Sequence, residues 1–360
     1  MVTGGAEKVV CDAIDALYPR YDITVWTLGG NVSDPIRDRL QGKAHITGTP
    51  ISSHARILAM FPVIGSWILR RKIPEHFDVM IVLRSSFLMA SRSGIAQKAV
   101  FWDHSDKANR YTKTAKLSIF RKINRYRLIY GYRKFDAVWV VSDVIRHAFA
   151  KAFQHHNVLT VPNPIDIPLI QSLACEPVKI DLFSENAFRF VVVSRLSEEK
   201  GVLRVLQAME RLKTQKSCVL LIVGDGPERE SLETFVDNHG LRNRVSFAGN
   251  QINPYPFIVN SDALICPSYV ESFGIAILEA MALRTAVLAT KTTGGQSLLA
   301  DGRYGILAEN SVDGLLEGMR TIIEGNPLGT EDAYLHSLKF DQKTFETHIN
   351  LQIEHLTEGL

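Results

Sequence analysis

"DALICPSYVESFGIAILEAM", residues 262–281, is the stretch whose reading decides the fold. The apolar run Ala263–Cys266 stops at Pro267, a short loop carries Glu271, and from about Phe273–Gly274 apolar residues recur at helical spacing. Strand, loop and helix in this order form the repeating unit of an α/β fold with a parallel sheet. A helix starting here leaves the backbone N–H groups of Ser272, Phe273, Gly274 and Ile275 without partners in their own helix. Such a set is an anion site, and glycine at 274 permits close approach. Glu279 lies a little over one turn past Gly274, close enough to accept from a diol, while Glu271 precedes the helix and could meet hydroxyls of a group beyond the anion. Two readings stand side by side. The glutamates serve the two ends of a nucleotide-linked ligand, or Glu271 is a dipole-favoured carboxylate at a helix start and Glu279 a solvated helix residue.

The same pattern extends outward in both directions. Before it come the runs "DITVWTL" (22–28), "FDVMIVL" (77–83), "AVFWDH" (99–104), "FDAVWVVS" (135–142) and "VLTVP" (158–162), all suited to buried parallel strands. After a stretch containing proline and acids, a second series follows: "FRFVVVSRL", "CVLLIVGDG", "RVSFAGN", "DALICPS", "TAVLAT" and "YGILA", with helical patterns such as "GVLRVLQAMERLK" and "ERESLETFVDNHG" between them. Two β/α series predict two doubly wound domains facing each other across a cleft. The expected boundaries are 1–165 for the first domain, 166–187 for a linker and 188–338 for the second. A last helix within 339–360 follows no strand and is expected to pack back across the junction.

Composition narrows the class. The chain has 360 residues, 46% hydrophobic and 22% charged, enough for two ordinary globular cores. Cys11, Cys175, Cys218 and Cys266 are widely spaced, with neither a disulfide pattern nor zinc-ligand spacing, which points to a reducing cytosol. The longest nearly apolar stretch, residues 59–69, contains a proline and falls short of the roughly 18 residues needed to cross a bilayer. The opening residues do not resemble a signal sequence. Residues 107–134 hold ten Lys or Arg and no acid, interleaved with Tyr, Ile, Leu and Phe. This block reads as a basic amphipathic helix pair for an anionic membrane or a phosphorylated acceptor, with Lys113, Lys116, Arg121 and Lys122 as its patch, or as a plain solvated face. No nucleic-acid partner is expected.

Further chemistry collects where the predicted strands end. "SRLSEEKG" (194–201) carries Arg195 and Lys200 in one loop that leads into a helix, a plausible pyrophosphate clamp. "VGDGPERE" (223–230) is a tight turn, and "TTGGQS" (292–297) lets backbone approach either a ligand or another loop. In the first half, "TGGAEKVVCDAIDAL" (3–17) opens an amphipathic helix on a glycine pair, and "FWDHSDK" (101–107) ends a strand on His104.

Taken in order, "GGAEKVV", "WDHSD", "SRLSEEKG", "VGDGPERESL", "VSFAGN" and "CPSYVESFGIAILEAMA" resemble glycosyltransferase family 4, the retaining nucleotide-sugar glycosyltransferases of GT-B fold. The resemblance runs over nearly the whole chain, and the family's E-x7-E signature falls on Glu271 and Glu279. It implies that Arg195 and Lys200 bind the donor pyrophosphate, that Ser272, Phe273, Gly274 and Ile275 supply amides to it, and that Glu279 holds the ribose. Glu271 is expected on the donor sugar, Gly5 on the phosphates from the first domain, and His104 near the transferred sugar and acceptor, with His104 and Glu271 as the catalytic pair. The donor is a nucleoside-diphosphate sugar, a uridine one preferred to a guanosine one. The acceptor is a glycan or a lipid-pyrophosphate-linked glycan of surface polysaccharide synthesis, handled in the cytoplasm or on the inner face of the membrane. No D-x-D occurs, so no metal and no cofactor is expected. One departure stands out: family members begin with a strand before the glycine loop, and only "MVT" precedes Gly4 here, so the first strand is expected to be missing. Rival readings are a GT-B sugar-nucleotide 2-epimerase and a non-catalytic nucleotide-sugar-binding relative. A dehydrogenase is disfavoured because no complete G-x-G-x-x-G follows a first strand.

Overall fold

The computed structural model describes residues 5–27, 32–48, 66–67, 70–71, 73, 75–83, 93–106, 108, 119–178, 187–212, 217–325 and 329–358. The chain divides into two compact units, Met1–Pro164 with Gln342–Leu360, and Ile165–Asp341.

In the first unit the strands are β1 (Thr24–Thr27), β2 (His45–Gly48), β3 (Phe77–Val82), β4 (Ala96–Asp103), β5 (Ala137–Val140) and β6 (Val158–Thr160). Strands β1 and β2 pair parallel, and β3-β4-β5-β6 form a separate parallel ladder in sequence order. The central strands carry the bulk: Trp102 on β4 and Trp139 on β5 are fully buried and meet edge to face, 5.7 Å between ring centroids. The helix Gly5–Leu17 serves both ladders. Its Val9, Ala13, Ala16 and Leu17 join the cluster around Val100, Trp102 and Trp139, while Cys11 and Ile14 pack with Leu40, Val25 and Ile46.

The helix Gln342–Thr357 also belongs to this unit. Phe345, Ile349 and Ile353, spaced four apart along one stripe, enter the same core, and Asn350 Nδ2 donates to the Ala16 carbonyl at 3.0 Å.

The second unit holds β7 (Phe188–Val193), β8 (Cys218–Val223), β9 (Val245–Gly249), β10 (Ala263–Cys266), β11 (Ala286–Thr290) and β12 (Ile306–Ala308) in one parallel sheet, ordered β12-β11-β10-β7-β8-β9. From β7 the chain steps outward to β8 and β9, then returns to lay β10 on the other side of β7. Loops leaving β7 and β10 therefore start side by side and diverge, which is the place where ligands of doubly wound sheets bind. Strand β8 is buried along its whole length, as a central strand covered on both faces must be.

One expectation needs correction. Residues 166–187 are not all linker, because Ile167–Ala174 is a helix capped by the Asp166 carboxylate and belongs to the second unit. Of the basic block the helix Ile119–Tyr132 is described, and the expected first helix of the pair lies outside the described residues. Strand β2 was passed over because "HITG" has one large apolar residue and alternates exposed with half-buried positions. Among the described residues no helix is long and apolar enough to cross a membrane.

Ile349 is fully buried, whereas Leu351 on the same helix is 47% exposed. Ile349→Ala is expected to cost about 2–5 kcal/mol in denaturant unfolding and Leu351→Ala less than about 0.5 kcal/mol.

Candidate active site

The two loops at the divergence of β7 and β10 carry the chemistry. After β7 the chain makes a single 3-10 turn, Glu198–Lys200, and enters the helix Val202–Arg211 through Gly201. After β10 it runs through Pro267 and Glu271 to Gly274, which caps the helix Ile275–Ala282 with φ +95°. The loops are joined by an ion pair, Lys200 Nζ to Glu271 Oε2 at 2.6 Å, its side chains 27% and 16% exposed. Burial works against the Lys200 charge, but the Glu271 carboxylate outweighs it and raises the lysine above its ordinary pKa. The sequence assigns Lys200 and Glu271 to different parts of a ligand, and the structure places them in contact.

Main-chain proximity sets this geometry. Gly201 has φ +66°, and a Cβ there would lie 2.4 Å from the Pro267 carbonyl oxygen, so the lysine loop touches the glutamate loop backbone to side-chain position. On the far side Gly294 N donates to Glu271 O at 2.8 Å, and a Cβ on Gly294 would come within 2.3 Å of Phe273 O. The glycine pair of "TTGGQS" is thus used for packing one loop on another. The turn of "VGDGPERE" is likewise tied to the Arg195 loop, Leu196 N donating to Asp225 O at 2.9 Å.

Among the described residues the amides of Ser272, Phe273, Gly274 and Ile275 donate to no hydrogen bond. Amides in this state at the start of a helix can donate to an anion. The Phe273 side chain itself is buried, its ring edge-on to Phe340 at 5.8 Å. Arg195 is exposed and makes no ion pair among the described residues.

Glu279 is buried, 8% exposed, and Tyr255 Oη donates to its Oε1 at 3.1 Å. This overturns the reading of Glu279 as a solvated helix residue. Tyr255 escaped the sequence reading because "NPYP" carries no periodic signal. Cys266, ending β10 beside the ion pair, is held as a thiol: burial pushes it up to about 11, with Glu271 adding to the shift.

In the first unit His104 follows β4 with its ring packed on Trp102, 4.8 Å between centroids. Neither ring nitrogen has a hydrogen-bond partner among the described residues, and the buried Asn163 lies against it with its own Oδ1 unsatisfied. Burial pushes the imidazole down to about 4, against a smaller opposing effect of Asn163, so the ring is neutral. The neighbouring Asp103 accepts from Ser105 N and Oγ at 3.0 and 2.6 Å. Gly5 opens the first helix, and Gly4 lies outside the described residues. Lys113 and Lys116 also lie outside them, and of Arg121 and Lys122 only the helical backbone is described. Among the described residues no group of three or more His, Cys, Asp or Glu could hold a metal ion.

Residues 3–168 match the family model of Glycosyltransferase Family 4, and residues 178–333 that of Glycosyl transferases group 1. The solved structure of Anabaena HepE in complex with UDP and glucose has a TM-score of 0.75 at 21% identity, covering 98% of this chain and 96% of that one. Each unit thus matches a glycosyltransferase family model, and the fold is GT-B. Over 357 residues it is 23% identical to an N-acetylgalactosaminyltransferase of Campylobacter jejuni whose substrate name is a diphospho-undecaprenol, covering 96% of this chain and 93% of that one. It is 30% identical over 182 residues to the N-acetyl-alpha-D-glucosaminyl L-malate synthase of Bacillus anthracis, half of this chain and 48% of that one. The matches to three of the curated relatives span between 40% and 59% of those proteins' own length.

The buried neutral imidazole has a thermodynamic signature. Its folded pKa lies below its unfolded value of 6.5, so its contribution to stability is complete above pH 6.5. It is lost as the pH falls from there toward 4, by at most roughly 3 kcal/mol. An NMR titration is expected to find His104 unprotonated at pH 5.5, and His104→Phe should lose this share of the acid sensitivity in denaturant unfolding.

Proposed function

We propose that this protein is a retaining glycosyltransferase that moves a sugar from a nucleoside-diphosphate sugar, a UDP-sugar in preference to a GDP-sugar, to a glycan or lipid-diphosphate-linked glycan of a surface polysaccharide. One observation carries the reading: a lysine–glutamate pair stands beside unpartnered helix amides where the second sheet's strand order reverses. Glycosyl transfer builds positive charge at the anomeric carbon while negative charge grows on the departing diphosphate. Lys200, Arg195 and the amides of Ser272, Phe273, Gly274 and Ile275 stabilise that diphosphate, so the reading needs no metal or cofactor. Glu279, oriented by Tyr255, accepts from the ribose, and Glu271 from the sugar. The arriving diphosphate competes with Glu271 for Lys200, freeing the carboxylate for sugar hydroxyls. To the first unit we assign the acceptor, with neutral His104 offering hydrogen bonds to sugar hydroxyls. The presence of Arg195, Lys200, Glu271 and Glu279 together favours catalysis over a binding-only relative. UDP in the HepE structure and the lipid-diphosphate substrate named for the Campylobacter enzyme support the choice of donor and acceptor.

The test is incubation with a panel of UDP- and GDP-sugars, reading nucleoside diphosphate release and the anomeric configuration of the product. Lys200→Ala and Arg195→Ala are each expected to lower turnover about ten- to a hundredfold, since a charge-assisted hydrogen bond is worth roughly 1.5–3 kcal/mol. Glu279→Gln should weaken nucleotide binding in calorimetry. Glu271→Gln should leave that binding intact or tighter, because it releases Lys200, while transfer falls. Equal losses of affinity in both glutamate variants would overturn the division of roles.

Work at the cytoplasmic face of a membrane is part of the same proposal. On the acid-free helix Ile119–Tyr132, Ile123, Tyr126 and Tyr130 are 60%, 73% and 49% exposed and share one face. Apolar tips among cations suit an anionic bilayer surface, at about 1 kcal/mol per near-surface Lys or Arg. In flotation with phosphatidylglycerol vesicles, binding is expected to weaken with salt, and to fall further in the Ile123→Ser/Tyr126→Ser/Tyr130→Ser variant. No flotation at low salt would assign the acceptor to solution.

A further inference from the structure

Arg204 is an unusual residue for its position. It lies in the first turn of the helix Val202–Arg211, 4% exposed, where the helix dipole disfavours a cation. Among the described residues no carboxylate pairs with it, its Nε has no partner, and burial lowers its pKa from the ordinary arginine value. A buried cation in this state is costly, and an apolar side chain of similar length would fill the space more cheaply.

What the guanidinium does is visible in its contacts. Nη2 donates to the Pro267 carbonyl, and Nη1 donates to Asn310 Oδ1 at 2.6 Å. The group lies 3.7 Å from the centre of the Tyr269 ring. Asn310 Nδ2 in turn donates to Tyr269 O at 3.1 Å, and Tyr269 N donates to Glu199 O at 2.8 Å. Tyr269 N to Glu199 O joins the segment after β10 directly to the turn after β7, the Arg204 contacts join that segment to the helix that continues the turn, directly and through Asn310, and Gly201 sits where they meet, a Cβ there falling 2.9 Å from Nη2.

We propose that Arg204 is a positioning residue for the donor site: it ties the segment Pro267–Tyr269 to the turn Glu199–Gly201 and so keeps Lys200 and Glu271 in register. The Lys200–Glu271 pair is partly exposed and must open when an anion arrives, so it cannot itself hold the loops. The buried fork of Arg204 is a tie that no ligand has to break. Only an arginine can reach the carbonyl, the amide and the ring at once, because its donors are fixed in one plane. The inference rests on the donor reading for the name of the site, and on the contacts alone for the tie.

Two measurements on the full chain separate these. In the first, the folded protein is alkylated with N-ethylmaleimide and the rate at each cysteine is read by peptide mass spectrometry. Cys266 precedes Pro267 directly, and Cys218, buried in β8 of the same unit, reports global opening. Arg204→Met is expected to speed Cys266 modification by about tenfold or more with Cys218 unchanged. Arg204→Lys should behave like Arg204→Met, since one ammonium cannot replace the fork. Tyr269→Leu, at an exposed position, gives a milder change in the same direction should the arginine variants fold poorly. An unchanged Cys266 rate, or Cys218 rising in step, would overturn the tie.

In the second, affinities for UDP and GDP are measured by calorimetry for Arg204→Met, Lys200→Met and the double variant. Because Arg204 acts through Lys200, the double variant is expected to bind within about twofold of Lys200→Met alone. Losses that multiply would mean that Arg204 acts independently and would overturn the positioning role. A wild-type protein that bound neither nucleotide would overturn the donor reading instead, and the thiol rates would then decide the tie.

Discussion

A half-buried ion pair, Lys200 with Glu271, is the interaction on which the site depends. Two charges taken partly out of water pay a desolvation penalty that their attraction offsets only in good geometry. That geometry comes from the sheet. Because the chain returns from β9 to lay β10 beside β7, the two loops leave neighbouring strands and turn away from each other. A cation on one and an anion on the other then meet across the reversal point. The pair is balanced in charge, and the Glu271 carboxylate favours the protonated lysine against the effect of burial. Backbone amides that donate to no hydrogen bond among the described residues follow Glu271 directly on the same loop.

The surrounding groups follow from that constraint. The loops approach so closely that glycine is required at 201 and at 294, and the space between them is filled by a guanidinium and a tyrosine ring. Glu279 is carried inward by the first turns of a helix whose other residues are almost all core, and a buried carboxylate needs a donor, which Tyr255 supplies. In the first unit the logic is inverted. His104 rests on Trp102 in surroundings that favour the neutral ring, which leaves an imidazole able to donate and to accept through a single tautomer pair.

Much of this was legible in the residues. Apolar β-branched runs marked eleven of the strands because parallel strands covered on both faces must be apolar throughout. Short-range pattern also placed the helix start at Gly274 and brought Arg195 and Lys200 into one loop. What escaped was whatever depends on partners distant in sequence. Arg204 reads as one more charge in an amphipathic helix, Asn163 as a polar residue between two prolines, and Tyr255 as part of a proline-rich turn. Their roles arise from contacts with Pro267, His104 and Glu279, and no local periodicity reports such contacts. The short β2, with one large apolar residue, lacked the pattern on which strand recognition relies.

The sequence by itself determined the class of fold, the order of its elements and the inventory of charged and glycine residues at the strand ends. These follow from periodicity, turn chemistry and composition, all of which act over a few neighbouring residues. The tertiary structure alone decided which residues of that inventory touch. It set Glu271 on Lys200, buried Glu279 instead of solvating it, and spent the glycine pair of residues 294–295 on packing. The physical reason is that burial and pairing of charge depend on how strands are ordered in a sheet, and that order is chosen by the packing of the whole core.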